Sequence, residues 1–301
     1  MELKSVSKPT GEAAVAVKKP EPVTERRISV ASDKAVAQTR TTIKRLAVGK
    51  SDRPMVSTTA QGLRLETVLH PTDERTRIVE TNEAPWRMVC ALEIEGPWGS
   101  FLGTGWLVAP RTIITAGHCV YDARQMGGWA NKISIAPGRD AVDRPYGTLE
   151  STKFSTTDVW LQKQDPDFDI SAIHLAEPIG DQVGWFQVAS LTDDQLRGYL
   201  VNVSGYPAQP GEGTQQWWAK NRIREVTPRR IFYEVDTSGG QSGAPVYIIE
   251  KNGAPPMVVG IHAYGVGGTP QSIPLQVNSA PRIIPEVVAQ IEKWIAQDNV
   301  S

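Results

Sequence analysis

The run Asp236-Thr-Ser-Gly-Gly-Gln-Ser-Gly-Ala-Pro245 decides how the rest of the chain is read. A serine stands between glycines, followed by a small residue, a proline and Val246-Tyr-Ile-Ile249, which reads as a strand. Glycines at 239, 240 and 243 permit a sharp turn in which the amides of Gly240 and Ser242 converge on one point. Two convergent amides are what a developing oxyanion needs, with Ser242 supplying the attacking oxygen. Taken alone, the string is equally the signature of an ordinary tight turn.

Two further stretches change that balance. In Thr112-Ile-Ile-Thr-Ala-Gly-His-Cys-Val120 an apolar strand runs into small residues and delivers His118, one of four histidines with His70, His174 and His262. In Asp169-Ile-Ser-Ala-Ile-His-Leu175 a carboxylate opens an alternating strand. Serine is a poor nucleophile at neutral pH and needs a base within hydrogen-bond reach. An imidazole, with an unperturbed pKa near ~6.5, takes and returns the proton. A buried carboxylate then fixes the imidazole's tautomer, the role given to Asp169. Asp165 and Asp167 are its rivals, but only Asp169 leads directly into the alternating strand.

The order His118, Asp169, Ser242, carried by Thr-Ala-Gly-His-Cys, Asp-Ile-Ser-Ala-Ile and Gly-Gln-Ser-Gly-Ala-Pro, resembles the chymotrypsin-like serine peptidases. Gly239-Gly-Gln-Ser-Gly-Ala-Pro245, Gly205-Tyr-Pro207 and Gly260-Ile-His262 are similar to the glutamyl endopeptidase branch, and the likeness runs over residues 68–297. The resemblance implies an all-β fold of two six-stranded antiparallel β-barrels with a C-terminal helix. Their expected bounds are 67–185 and 186–301, with a cleft between them.

It also implies roles around the serine. His262 and Thr237 would receive an acidic side chain, and Ala263, Tyr264 and Gly265 would lie along the substrate backbone. Asp236 offers the alternative, because trypsin-type enzymes keep a carboxylate there to bind Arg or Lys. Gln241 stands where those enzymes have the aspartate that captures a processed amine, so that activation step is not expected. A cysteine at position 119 commonly pairs with a neighbouring strand in this family. The usual partner place holds Gly103, and the reading leans to Cys90 and Cys119 as two thiols.

The chain has 301 residues and a net charge of −1, so its bulk charge does not call for nucleic acid. No run of 18 apolar residues exists to span a membrane as a helix. Residues 1–66 carry 13 Lys and Arg against 7 Asp and Glu, and no aromatic precedes Trp86. Such a segment reads as a disordered leader or pro-segment. The start Thr67-Val-Leu-His-Pro-Thr-Asp-Glu-Arg-Thr-Arg-Ile78 resembles that of mature glutamyl endopeptidases, which makes Glu66–Thr67 the expected processing point. Met1-Glu-Leu-Lys-Ser has no apolar signal core, which leaves secretion and a cytoplasmic location both open.

From Trp86 onward, short alternating runs separated by Gly and Pro turns argue for β structure. Val159–Gln162 reads as one such strand, and Gln216–Lys220 and Ile223–Val226 as two more. One helix is expected over Ile283–Ile295, where Ile284, Val287, Val288, Ile291 and Ile295 recur at three- and four-residue steps. Trp98, Trp106, Trp185, Trp217 and Trp218 are expected in core or cleft packing. No His, Cys or carboxylate cluster shows metal-ligand spacing and no cofactor is called for. The expected partner is a protein or peptide substrate, acted on by a monomer; the alternative from another class is a non-catalytic relative that holds peptides in the cleft.

Overall fold

A computed structural model describes residues 3–9, 69–250 and 254–299. The chain enters with β1 (Ser5–Ser7) and β2 (Thr76–Ile78), then lays down β3 (Val89–Gly96), β4 (Gly99–Ala109) and β5 (Thr112–Thr115). The short helix α1 (Gly117–Val120) leads into a ribbon of β6 (Tyr121–Asp122) and β7 (Gly128–Trp129). There follow β8 (Lys132–Pro137), β9 (Leu149–Ser151), β10 (Phe154–Thr157), α2 (Asp158–Lys163) and β11 (Ser171–His174). The second half holds α3 (Gly180–Val183), β12 (Gln187–Val188), α4 (Asp193–Leu196), β13 (Leu200–Gly205), β14 (Gln216–Val226) and β15 (Arg230–Tyr233). It closes with β16 (Pro245–Ile248), β17 (Met257–Ile261), β18 (Asn278–Pro281) and α5 (Pro285–Asn299).

These strands make two curled sheets, the all-β, two-barrel class that the motifs imply. The first has the order β1-β10-β11-β5-β4-β3-β8-β9, the second β12-β17-β16-β13-β14-β15-β18 with β2 added on β14. Each counts eight strands where six were expected. Alternation gives each sheet an inner apolar face: Leu92, Leu107, Ile113, Ile133 and Ile173 fill one half, Val201, Val203, Ile231, Val246 and Val259 the other. A third cluster joins the halves and seats α5, through Trp106, Phe186, Tyr206, Tyr247, Ile261, Val287 and Trp294.

Several expectations need correction. Residues 3–9 are not disordered: β1 pairs antiparallel with β10, Ser5 opposite Thr157 and Ser7 opposite Ser155. An edge strand needs backbone pairing and one apolar anchor, and composition averaged over 66 residues conceals so short a unit. Glu66 and Thr67 lie outside the described residues. Residues 76–78, expected in the first barrel, pair with β14 of the second sheet. Val159–Gln162 is helical, because Thr157 caps α2 by accepting from the Trp160 amide at 3.2 Å. The stretches 216–220 and 223–226 are one continuous strand.

The terminal helix forms, but its buried side is Val287, Gln290, Ile291, Trp294 and Asp298. Ile284, Val288 and Ile295 are only partly covered. Two polar residues on the buried side hid this stripe from a count of apolar positions. Trp106 is buried, whereas Trp98 and Trp185 are exposed.

Candidate active site

Strand β5 ends at Thr115, and the chain turns at once into α1, which presents His118. Gly117 allows this approach: a Cβ there would stand 2.7 Å from Asp169 Oδ1 and 2.8 Å from the Trp160 ring. Asp169 follows a short 3-10 turn (Pro166–Phe168) and is fully buried. Its Oδ1 accepts from the His118 amide at 2.8 Å, and its Oδ2 from His118 Nδ1 at 2.8 Å. With Nδ1–H held there, Nε2 is left as the basic atom. Of the rivals, Asp165 caps the 3-10 turn by accepting from the Asp167 amide. Burial pushes the Asp167 carboxyl above its usual range, against the pull of Arg230.

The Ser242 turn packs against the same corner. The Ser242 carbonyl accepts from the Thr104 amide at 2.8 Å and from Cys119 Sγ at 3.6 Å. Gly243 is irreplaceable on two counts: its φ is +90°, and a Cβ would meet Thr104 O at 2.1 Å. Gly240, at φ +97°, lies so close to Tyr206 O that a Cβ would stand 2.6 Å from it. Its carbonyl accepts from Thr104 Oγ1 at 2.8 Å. Arg75 braces the turn from beneath, with Nη1 donating to Ser238 Oγ at 2.6 Å and Gln241 Oε1 at 3.1 Å.

His262 is tied to this turn through its backbone, for its carbonyl accepts from the Gly243 amide at 2.7 Å. Its ring is buried, with Nδ1 2.5 Å from the Tyr233 hydroxyl and Nε2 without a hydrogen-bond partner. Burial, and then the nearby charge of His118, lower its pKa to about 3. Thr237 is likewise buried, and its Oγ1 has no partner. Unpartnered buried polar atoms are costly, and a partner for either atom would relieve that cost.

Asp236, the trypsin-type alternative, is met by residues 69–74. It is buried, and its Oδ1 accepts from the Leu69 amide at 2.7 Å, the His70 amide at 3.3 Å and His70 Nδ1 at 2.9 Å. Its Oδ2 takes the Glu74 amide at 3.0 Å, so this carboxylate anchors residues 69–74. Burial lowers the His70 pKa, but the bond to Asp236 and the charges of Asp236 and Glu74 outweigh it and raise the pKa overall. Tyr264 is tied to the fold at both its backbone and its hydroxyl. Its amide and carbonyl are bonded to Ser279, and its hydroxyl donates to Asp169 Oδ2. Ala263 is buried beside it, and the Gly265 carbonyl accepts from the Gly268 amide.

The sequence reading missed Tyr264 against Asp169, Arg75 beneath the serine turn and His70 on Asp236. No local signal carries such pairings, which join residues far apart in the chain. Cys90 and Cys119 are buried thiols.

Among known proteins, the trypsin family matches residues 75–282. A glutamyl endopeptidase of Bacillus licheniformis is 36% identical over 226 residues, 74% of this chain and 67% of the relative. A Bacillus subtilis protein named extracellular metalloprotease is 36% identical over 228 residues, 75% of this chain and 69% of its own. The solved structure of a Glu endopeptidase in complex with MPD aligns at TM-score 0.65 and 26% identity, over 76% of this chain and 100% of that one. Fold and matches together define a chymotrypsin-like serine endopeptidase. The chain belongs to the trypsin family. Within it, the chain stands near the glutamyl endopeptidases.

Among the described residues one group, His70, Glu74 and Asp236, brings ligand atoms within 4.8 Å of one another, which the sequence spacing did not reveal. The group does not fit a metal ion, since Asp236 Oδ1 already accepts three hydrogen bonds and His70 Nδ1 donates one of them.

Proposed function

We propose that the enzyme cleaves peptide bonds after glutamate, or after aspartate, with Ser242, His118 and Asp169 as its triad. His118 Nε2 takes the Ser242 proton as Oγ bonds to the scissile carbonyl carbon, and the amides of Gly240 and Ser242 receive the oxyanion. Collapse breaks the C–N bond, and His118 returns the proton to the leaving amine. Water, deprotonated by the same imidazole, then hydrolyses the acyl-serine.

The observation that carries the acidic preference is the pair of unpartnered polar atoms, His262 Nε2 and Thr237 Oγ1, on chain segments flanking the Ser242 turn. His262 is held neutral, and with the Tyr233 hydroxyl donating to Nδ1 its Nε2 carries the hydrogen. An N–H donor beside a hydroxyl suits a carboxylate, whereas a basic side chain would face the His262 N–H with no negative charge from this pair to balance it. Asp236, the alternative receptor for Arg or Lys, has its oxygens engaged by residues 69–74.

Processing after Glu66 belongs to the same reading. Leu69 is fixed on Asp236, the neighbour of Thr237, and two extended residues span roughly 7 Å. A new amine at Thr67 would therefore bring positive charge towards the acidic pocket.

A panel of peptides matched except for Glu, Asp, Arg, Lys or Phe before the scissile bond tests the proposal, with Ser242→Ala as control. The expected result is cleavage after Glu, abolished in the control and reduced about 10- to 100-fold in Thr237→Val and His262→Gln. Cleavage after Arg or Lys would overturn the acidic assignment.

A further inference from the structure

Strand β1 is built into the enzyme more deeply than a removable leader would be. Leu3 is buried in the cluster that seats α5. The Trp294 indole donates to Ser5 Oγ at 2.8 Å, and Gln290, oriented to satisfy both ends of its amide, donates to the Leu3 carbonyl at 3.1 Å. Ser7 Oγ meets Ser155 Oγ at 2.9 Å; Ser155 Oγ meets His174 Nε2 at 2.9 Å, and His174 Nδ1 meets Asp298 Oδ1 at 2.8 Å. That row has the layout of a serine–histidine–aspartate relay. Ser155 is fully buried beneath β1, however, so the row joins β1, β10, β11 and α5 rather than meeting a substrate.

The strand also reaches the candidate active site. Lys4 O accepts from the Asp158 amide at 3.0 Å, where α2 begins. Thr157 Oγ1 donates to Phe168 O at 2.8 Å, next to Asp169, and helix α2 carries Trp160, whose ring lies 6.4 Å from that of His118.

We propose that residues 3–9 are a retained strand of the working enzyme. A cut between residues 10 and 68 leaves two pieces that stay together without a covalent link, and the smaller piece braces α2 and, through it, His118 and Asp169. Extended backbone pairing, one buried leucine and buried side-chain bonds are the means by which peptides add to sheet edges. Only the bracing clause rests on the serine-peptidase reading.

The test inserts a site-specific protease sequence between Arg40 and Thr41 of the full chain carrying Ser242→Ala. After cutting, both pieces are expected to co-elute in gel filtration, identified by mass. Leu3→Asp is expected to weaken retention at least ~10-fold, so that the small piece elutes alone. Ser5→Ala, a milder variant that removes only the Trp294 bond, is expected to weaken it about fivefold. With Ser242 intact, the cut Leu3→Asp body freed of its small piece is expected to label with a fluorophosphonate at least ~10-fold more slowly. Added peptide of residues 1–9 would restore the rate. Separation of the unmodified pieces would overturn retention, and equal labelling rates would overturn the brace. Retention by a protein inert to the probe would support the strand and count against Ser242 as nucleophile.

Discussion

Asp169 Oδ2 is shared between His118 Nδ1 and the Tyr264 hydroxyl. Both donors reach one buried oxygen, and the Tyr264 and His118 rings stand 6.3 Å apart. The tyrosine therefore stabilises the carboxylate in the orientation that serves the imidazole. Hydrogen bonds to charged groups contribute about 1.5–3 kcal/mol. Tyr264→Phe is accordingly expected to lower kcat about tenfold or more and to leave KM nearly unchanged. Steady-state kinetics decide it, and kcat within twofold of the parent would remove Tyr264 from the mechanism.

His262 makes stability depend on pH. The folded chain keeps it neutral down to about 3, whereas the unfolded chain protonates it near 6.5. Between those values the unfolded state binds more protons, so stability present above pH 6.5 is lost as pH falls towards 3. One proton corresponds to about 1.4 kcal/mol per pH unit. Urea unfolding of His262→Gln between pH 6 and 4 should show a slope shallower by about that amount, and an unchanged slope would refute the assignment.

Two glycines with positive φ separate backbone strain from collision. Gly243, at φ +90°, has Thr104 O in the place of a Cβ, while Gly198, at φ +78°, faces open space. Gly198→Ala should cost about 1 kcal/mol, whereas Gly243→Ala should cost about 3 kcal/mol or more and abolish activity. Equal losses in denaturant unfolding would mean that the collision is relieved.

Asp236→Asn probes the anchor of residues 69–74. The Asp236 charge that helps raise the His70 pKa is then removed and the bond to it weakened, so the imidazole should titrate at lower pH, as read from its ring proton resonances. The preference among the five peptides should not change. Loss of cleavage after Lys or Arg in the variant would restore Asp236 as a specificity residue.

The strings around His118, Asp169 and Ser242 were legible because each is local: strand, turn and reactive residue lie within a few positions. Helix α2 was not, because a short apolar run such as Val159-Trp-Leu161 fits a strand as well as a capped turn of helix. Strand β1 was hidden for a different reason. Ser7 meets Ser155 across 148 positions, and nothing in residues 3–9 themselves announces that partner. Arg75 with Gln241 and Tyr264 with Asp169 are distant pairs of the same kind, 166 and 95 positions apart.

Arg75 has a consequence for timing. It lies beneath the serine turn as an internal side chain, present from synthesis and seated when residues 73–78 meet the second sheet. On the proposed reading, the surroundings of Ser242 would be built by folding rather than by proteolysis. On the same reading a cut upstream would find that architecture finished, and any latency would come from occlusion of the cleft or from the charge a new chain end brings.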